Sequence, residues 1–252
     1  MSELRKLGAV LLCRCGSSRL YGKPLQNLDI EKGITILDYM IGWMRRHPSY
    51  ESVVLAISEG VENQVFVEVA NRLDVPYFVG DEEDQLGRVI ESGERVGATD
   101  ITRYTTESPF TCFELIEEAW AKHLDADIDA SFLDHVPNGA SFEILSLKAL
   151  KKSHARGDTR HRRLGVSLYI REHRNEFRIR EIPTPDNLRR PEIRLTVDYP
   201  EDLVLCREIY NALHDQAPEI RVAEIIRYLD ENPNLKKMVG RYVDEGLESM
   251  YL

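Results

Sequence analysis

The run Gly8-Ala9-Val10-Leu11-Leu12 is apolar without a break. It lacks the alternation of a half-exposed strand and predicts a strand covered on both faces. Between 35 and 47 the spacing changes. Ile36, Leu37, Met40, Ile41 and Met44 recur at helical intervals, and Pro48 closes the segment. Ser52-Val53-Val54-Leu55-Ala56-Ile57 predicts a second buried strand. Val61, Val65, Val69 and Leu73 recur every fourth residue, as on one face of a helix. Val75-Pro76-Tyr77-Phe78-Val79 predicts a third strand, closed by Gly80, and Leu86, Val89, Ile90 and Gly93 mark another helix. A strand over 100–105 and a helix over 113–123 continue the alternation.

Strands alternating with helices imply right-handed βαβ units and a mainly parallel sheet. Ligands of such sheets sit beyond the carboxyl ends of the strands. The later pattern is less regular. It predicts strands over 130–133 and 141–145, with Ser146 capping a helix through Lys152. The polar, basic stretch 156–163 predicts a mobile loop, 164–173 a helix, and 177–182 and 193–197 strands. Pro200 opens a helix reaching Leu213, and 222–251 is expected to be helical with a break near Pro233. No internal repeat or low-complexity tract interrupts the pattern.

The 252 residues suffice for one large α/β domain, alone or with a small appendage. With 42% hydrophobic and 30% charged residues, a packed core is expected rather than disorder. The 33 basic and 43 acidic side chains leave a net charge of −10. Such a chain repels nucleic acid and anionic membrane, so a small anionic ligand needs a local basic island. No apolar run is long enough to span a membrane and the start does not read as a signal peptide, so a cytoplasmic protein is expected. Cys13, Cys15, Cys112 and Cys206 are scattered, as suits reduced thiols. Cys13 and Cys15 have no second Cys or His pair nearby to complete a zinc site.

The basic island follows the first strand, as Arg14-Cys15-Gly16-Ser17-Ser18-Arg19-Leu20-Tyr21-Gly22-Lys23. A P-loop needs G-x-x-x-x-G-K-[S/T]; here Gly16 and Gly22 are one residue too far apart and Pro24 follows Lys23. A dinucleotide fingerprint needs a middle glycine that this loop lacks, which disfavours a Rossmann oxidoreductase. Glycine lets backbone amides approach a phosphate, hydroxyls donate, and Arg and Lys supply a planar fork and a point charge. On residues alone, an anion-binding loop and a flexible turn with solvated charges stand level.

The order of motifs adds to this. Arg14-x-Gly16-Ser17-Ser18-Arg19-Leu20-x-Gly22-Lys23 resembles the opening motif of the cytidylyltransferase family, which holds the CMP-sialate and CMP-Kdo synthetases and their spore-coat-polysaccharide-type relatives. Val75-Pro76 through Gly80, then Asp84-Gln85-Leu86-Gly87-Arg88, resembles its third-strand segment. Arg103-Tyr104-Thr105-Thr106-Glu107-Ser108-Pro109 resembles R-I-T-G-D-x-P. Arg194-Leu195-Thr196-Val197-Asp198-Tyr199-Pro200-Glu201-Asp202 resembles R-L-T-V-D-T-P-E-D closely, and Leu229-Asp230-Glu231-Asn232-Pro233 resembles the spore-coat-type subgroup.

The resemblance implies a doubly wound, mainly parallel sheet of the nucleotide-diphospho-sugar transferase type, over 1–228. It also implies an insert-like segment, 130–177, for acceptor and dimer contacts, and a C-terminal helical tail, 229–252, with the C-terminal helices as a second candidate for the dimer contact. It implies transfer of CMP from CTP to an acidic sugar or a phosphate- or phosphonate-bearing small molecule, with Mg2+ assisting and pyrophosphate leaving. Arg14, Arg19 and Lys23 would act on the triphosphate, with Gly16, Ser17, Ser18 and Arg88 beside them. Ala56, Ser58 and Gly80 would face base and ribose. Glu107 and Asp198 would take the metal-binding positions. The alternatives are a solvated loop acid for Glu107 and a helix cap for Asp198. A homodimer is expected, as in the relatives.

Departures fall in the acceptor half. Glu107 replaces an Asp and Thr106 a Gly. Ser141 stands where relatives often carry an acid, and Arg163-Leu164-Gly165-Val166-Ser167 where they often read R-E-H-V-T. Either the acceptor is unusual, held by Arg156, Arg160, Arg162 or Arg163, or the chain is a diverged nucleotide- or partner-binding relative without transferase activity. A solvated loop is the other reading of that arginine cluster.

Overall fold

The first apolar run forms β1 (Leu7–Cys13), buried along its whole length. Its residues alternate between two cores. Leu7, Ala9, Leu11 and Cys13 face one, and Val10 and Leu12 face the other. This two-sided burial is why the run shows no polar alternation. A computed structural model describes residues 4–125 and 127–243.

After β1 come a small hairpin, β2 (Asn27–Asp29) with β3 (Ile34–Thr35), and helix α1 (Ile36–Met44). Thr35 and Asp38 cap α1 reciprocally. Next follow β4 (Ser52–Ser58), α2 (Gln64–Leu73), β5 (Tyr77–Gly80), α3 (Gln85–Arg95) and β6 (Asp100–Thr105). Asp84 caps α3 by accepting from the Gly87 amide. The helix α4 (Ile116–Asp125) leads to β7 (Ala130–Phe132) and β8 (Glu143–Ser146). Ser146 caps α5 (Leu147–Arg156), as expected, and α6 (Thr159–Arg163) and α7 (Leu168–Glu172) precede β9 (Ile179–Glu181). Three helices follow: α8 (Pro200–Leu213), α9 (Val222–Glu231) and α10 (Pro233–Val239).

The large sheet has the order β5-β4-β1-β6-β8-β7-β9. β5, β4, β1 and β6 run parallel, β8 is antiparallel to both neighbours, and β7 pairs parallel with β9. Helices pack on both faces, which makes the doubly wound α/β fold. The segment 130–177 supplies β7, β8, α5, α6 and α7, so its strands extend the main sheet.

Three expectations change. The stretch 156–163 is not a loop: α5 runs on to Arg156, and Asp158 caps α6 through the His161 amide. The helix expected over 164–173 is only α7, because Leu164 to Ser167 form the connection from α6. Residues 193–197 form no strand. A single parallel bridge joins Arg194 to Asn138, and the Val197 amide donates to the Glu107 carbonyl at 2.8 Å. The helices after 222 break between Glu231 and Pro233 as expected; residues 244–251 of that segment lie outside the described residues.

Candidate functional site

Sheet growth reverses at β1. β4 and β5 lie on one side of it, and β6 on the other. The loops leaving β1 and β6 therefore part at their carboxyl ends and open a crevice, the usual ligand position in such sheets. The loop after β1 is pinned rather than loose. The Cys15 amide donates to Asn63 Oδ1 at 2.8 Å, and the Gly22 amide donates to the Cys15 carbonyl at 3.0 Å. Gly22 takes φ 61°, which glycine adopts without strain, and turns the chain so that Lys23 points inward, buried.

Two contiguous cavities occupy the crevice. The smaller, about 230 Å³, is lined by Arg14, Gly16, Ser17, Ser18, Arg19, Lys23 and Arg88 together with Glu107 and Asp198. The larger, about 350 Å³, has Arg103, Asp134, Asn138, Glu143, Ser167 and Arg171 in its wall. Glu107 and Asp198 border both, as do Arg14 and Arg19. Two carboxylates thus stand at the junction of a cationic chamber and a mixed-charge chamber.

Asp198 is the hub. Its Oδ1 accepts from Lys23 Nζ at 2.7 Å and from Arg19 at 2.7 Å, and its Oδ2 accepts from Arg194 at 2.6 Å. It does not cap α8. Asp202 does that, accepting from the Asp198 and Tyr199 amides at 2.9 Å each while bonding to buried Arg194 at 2.8 Å. Burial works against the Asp198 carboxylate, but the Lys23 hydrogen bond and the Lys23, Arg19 and Arg194 charges outweigh it and hold its pKa below the usual value. Glu107 is pushed the other way. Desolvation raises it, Lys23 opposes, and the Asp198 charge raises it further.

Lys23 Nζ lies 3.8 Å from Glu107 Oε2 as well as 2.7 Å from Asp198 Oδ1. One cation already reaches both carboxylates. The longer Glu side chain thus brings its oxygen to the same ammonium group as Asp198, and two hard oxygen donors so placed would suit a magnesium-class ion. Arg88 adds a second sign of an anionic ligand. It is buried in the cationic chamber, its Nη1 donates to the Asp81 carbonyl at 2.5 Å, and its Nε has no partner. Desolvation, then the Arg14 charge, lowers its pKa. A Cβ built on Gly16 would meet no protein atom within 4 Å, so the loop backbone there faces open space.

Other expected residues fall elsewhere. Ala56 and Ser58 are buried in β4, and Gly80 ends β5; none of them borders either cavity. The arginine cluster is spent on neighbours. Arg156 pairs with Glu176, Arg160 grips Glu172 with both Nη atoms, Arg162 donates to the His154 carbonyl, and Arg163 pairs with Glu83. None lines the larger cavity.

Beyond Arg14 and Arg19 at the junction, its cations are Arg103 and Arg171. Arg103 Nε donates to Glu143 Oε1 at 3.0 Å, and Ser167 donates to Glu143 Oε2 at 2.7 Å. Arg171 donates to both Asp134 oxygens, at 3.1 and 3.3 Å. Desolvation opposes the Glu143 charge, yet Arg103, Arg171 and Ser167 keep its pKa below normal. Arg103 begins a motif the sequence exposes. Arg171 carries no local signal, because only the fold of α7 against β7 and β8 brings it there.

Residues 9–232 match the family described as Cytidylyltransferase. An uncharacterized protein of Methanocaldococcus jannaschii is 28% identical over 233 residues, 92% of this chain and 94% of that one. The spore coat polysaccharide biosynthesis protein SpsF of Bacillus subtilis is 27% identical over 232 residues, 89% of this chain and 94% of its own. A cytidylyltransferase structure from Leptospira borgpetersenii superposes with TM-score 0.83 at 22% identity, covering 92% of this chain and 97% of that one. The profile match runs from β1 to the end of α9, across every residue of both chambers, and with it the chain belongs to the cytidylyltransferase family.

Proposed function

We propose that the protein transfers CMP from CTP to an oxygen of an acidic sugar or of a phosphate- or phosphonate-bearing small molecule. The reading rests on one observation above all: two chambers of different character meet at Glu107 and Asp198. The cationic chamber takes the triphosphate, on Arg14, Arg19, Lys23 and Arg88, with the Gly16-Ser17-Ser18 amides and hydroxyls donating to its oxygens. The larger chamber takes the acceptor, whose oxygen attacks the α-phosphorus. The bond from that phosphorus to the bridging oxygen breaks, and pyrophosphate leaves into the cationic chamber. No protein nucleophile is needed; positioning and charge neutralisation carry the rate.

Glu107 and Asp198 would hold Mg2+, which when bound supplies positive charge against the phosphate oxygens. Arg19 and Lys23, now paired with Asp198, exchange that carboxylate for phosphate. Arg103 and Arg171 fit an acid group of the acceptor, and Asp134, Asn138 and Glu143 fit its hydroxyls. The polysaccharide role of the Bacillus relative agrees with a sugar acceptor. A homodimer formed through 130–177 completes the proposal, and light scattering that found only monomer would remove that part.

Pyrophosphate release from CTP and Mg2+ against a panel of acidic sugars and phosphorylated acceptors tests the reading. One acceptor should give release that Glu107→Gln lowers at least about 100-fold. Tight CTP binding with silence across the whole panel would favour a diverged nucleotide-binding protein instead.

A further inference from the structure

Behind the acceptor chamber, α6 and α7 bring together three side chains that the transfer reaction does not use. The donor atoms of His161, Glu172 and His173 all lie within 4.8 Å of one another. His161 Nε2 and Glu172 Oε2 are 2.9 Å apart. Ligands of a tetrahedral ion with bonds near 2.1 Å stand about 3.3 Å apart. That pair is at hydrogen-bond distance and would part slightly to take an ion, and the His173 atom would close in from within 4.8 Å.

The remaining ring nitrogens are anchored as metal-bound histidines are. His173 Nδ1 donates to the Tyr169 carbonyl at 3.0 Å, which leaves its Nε2 lone pair free. His161 Nδ1 lies 2.6 Å from Asp158 Oδ1. The Asp158 amide donates to the same nitrogen at 3.1 Å, so Asp158 fixes the ring from behind, and an ion at Nε2 would replace the proton shared with Glu172. A carboxylate or carbonyl behind each imidazole fixes its tautomer and ring plane, the usual outer support of zinc ligands. The Tyr169 ring packs beside both, stacked on His173 at 4.0 Å and edge-on to His161 at 5.2 Å. Both rings are thus held before any ion arrives.

We propose that His161, Glu172 and His173 form a site for a zinc-class divalent ion, distinct from Glu107 and Asp198, that clamps α6 to the end of α7. The connection between these helices carries Leu164, Gly165 and Ser167, which line the acceptor chamber, and α7 carries Arg171. The ion therefore fastens one wall of that chamber from behind. Two histidines and one carboxylate with an open position match the ligand chemistry of zinc rather than magnesium. Arg160 is the competitor. Its guanidinium holds both Glu172 oxygens, at 2.8 and 2.7 Å, and it is 45% exposed and can swing into water.

The test is metal content after equilibrium dialysis of chelator-stripped protein against Zn2+, with Co2+ absorption as a second readout of nitrogen ligation. The intact chain should retain about one ion, with a visible cobalt band. His161→Ala and His173→Ala should each weaken binding at least about ten-fold, with unchanged circular dichroism of the stripped protein. Arg160→Gln, a change at a half-exposed side chain, should tighten it by about two- to five-fold by releasing Glu172. Three results would overturn the site: no retained zinc, retention equal in both histidine variants, or affinity unimproved in Arg160→Gln.

Discussion

Asp198 is bonded to three cations and Glu107 to none closely, and their pKa values move in opposite directions for that reason. The Asp198 carboxyl is lowered, so its ionised form adds stability that is complete above the unfolded value near 3.8 and fades as pH falls through its lower folded value. The Glu107 carboxyl is raised above 4.5. Its protonated form is favoured in the fold, so that contribution is lost as pH rises through its folded value. The proposed role as a Mg2+ ligand needs it ionised. Mg2+ affinity measured by titration should therefore fall on acidification at a pH above 4.5, and in Glu107→Gln that acid limb should vanish with most of the affinity. A limb that persists in the variant would assign the proton to another group.

Asp202 makes a separate residue-scale case. Its carboxyl and Arg194 are both buried, and it also holds two amides at the start of α8. Removing it leaves Arg194 charged and half-paired in the core. Asp202→Ala should cost about 3–5 kcal/mol in denaturant unfolding. A loss under about 1 kcal/mol would show that water reaches Arg194 freely.

At the scale of elements, the junction is built from turns rather than regular structure. Gly139 has φ 90°, and a Cβ there would lie 2.7 Å from the Thr196 amide nitrogen and 2.8 Å from the Leu195 carbonyl carbon. That contact brings the segment bearing Asp198 against the wall of the larger chamber. Gly139→Ala should destabilise by more than about 1 kcal/mol, read by thermal unfolding, and should weaken nucleotide binding because the displaced backbone carries Asp198. Unchanged stability and binding would show that the 194–198 segment yields without moving Asp198.

The same contact explains what the sequence could not reveal. Ile193 to Val197 has a strand's pattern, yet its partners are a turn at Asn138 and the Glu107 carbonyl, so no ladder forms. The basic stretch 156–163 folds because Asp158 caps it and Glu172 and Glu176 receive its arginines. Those acids lie 12 to 20 residues away in the chain, beyond any local pattern. Strands β1 and β4 were legible because burial on two faces leaves a signature in consecutive residues.

In the whole molecule, the net charge of −10 is offset locally where four cations meet two carboxylates at the reversal point of the sheet. The loop after β1 could be recognised by its glycine, serines and cations, and its link to Asp198 by motif order. Beyond the Arg103 motif the larger chamber could not, since Asp134, Glu143 and Arg171 come from three separate elements or connections. The central claim is that the cationic chamber holds a cytidine triphosphate. Calorimetric titration with CTP and Mg2+ measures it most directly. The intact protein should bind CTP, and Arg19→Ala, which removes one charged donor to phosphate, should weaken binding by about 10- to 100-fold. No heat of binding from the intact protein, or equal affinity in the variant, would contradict it.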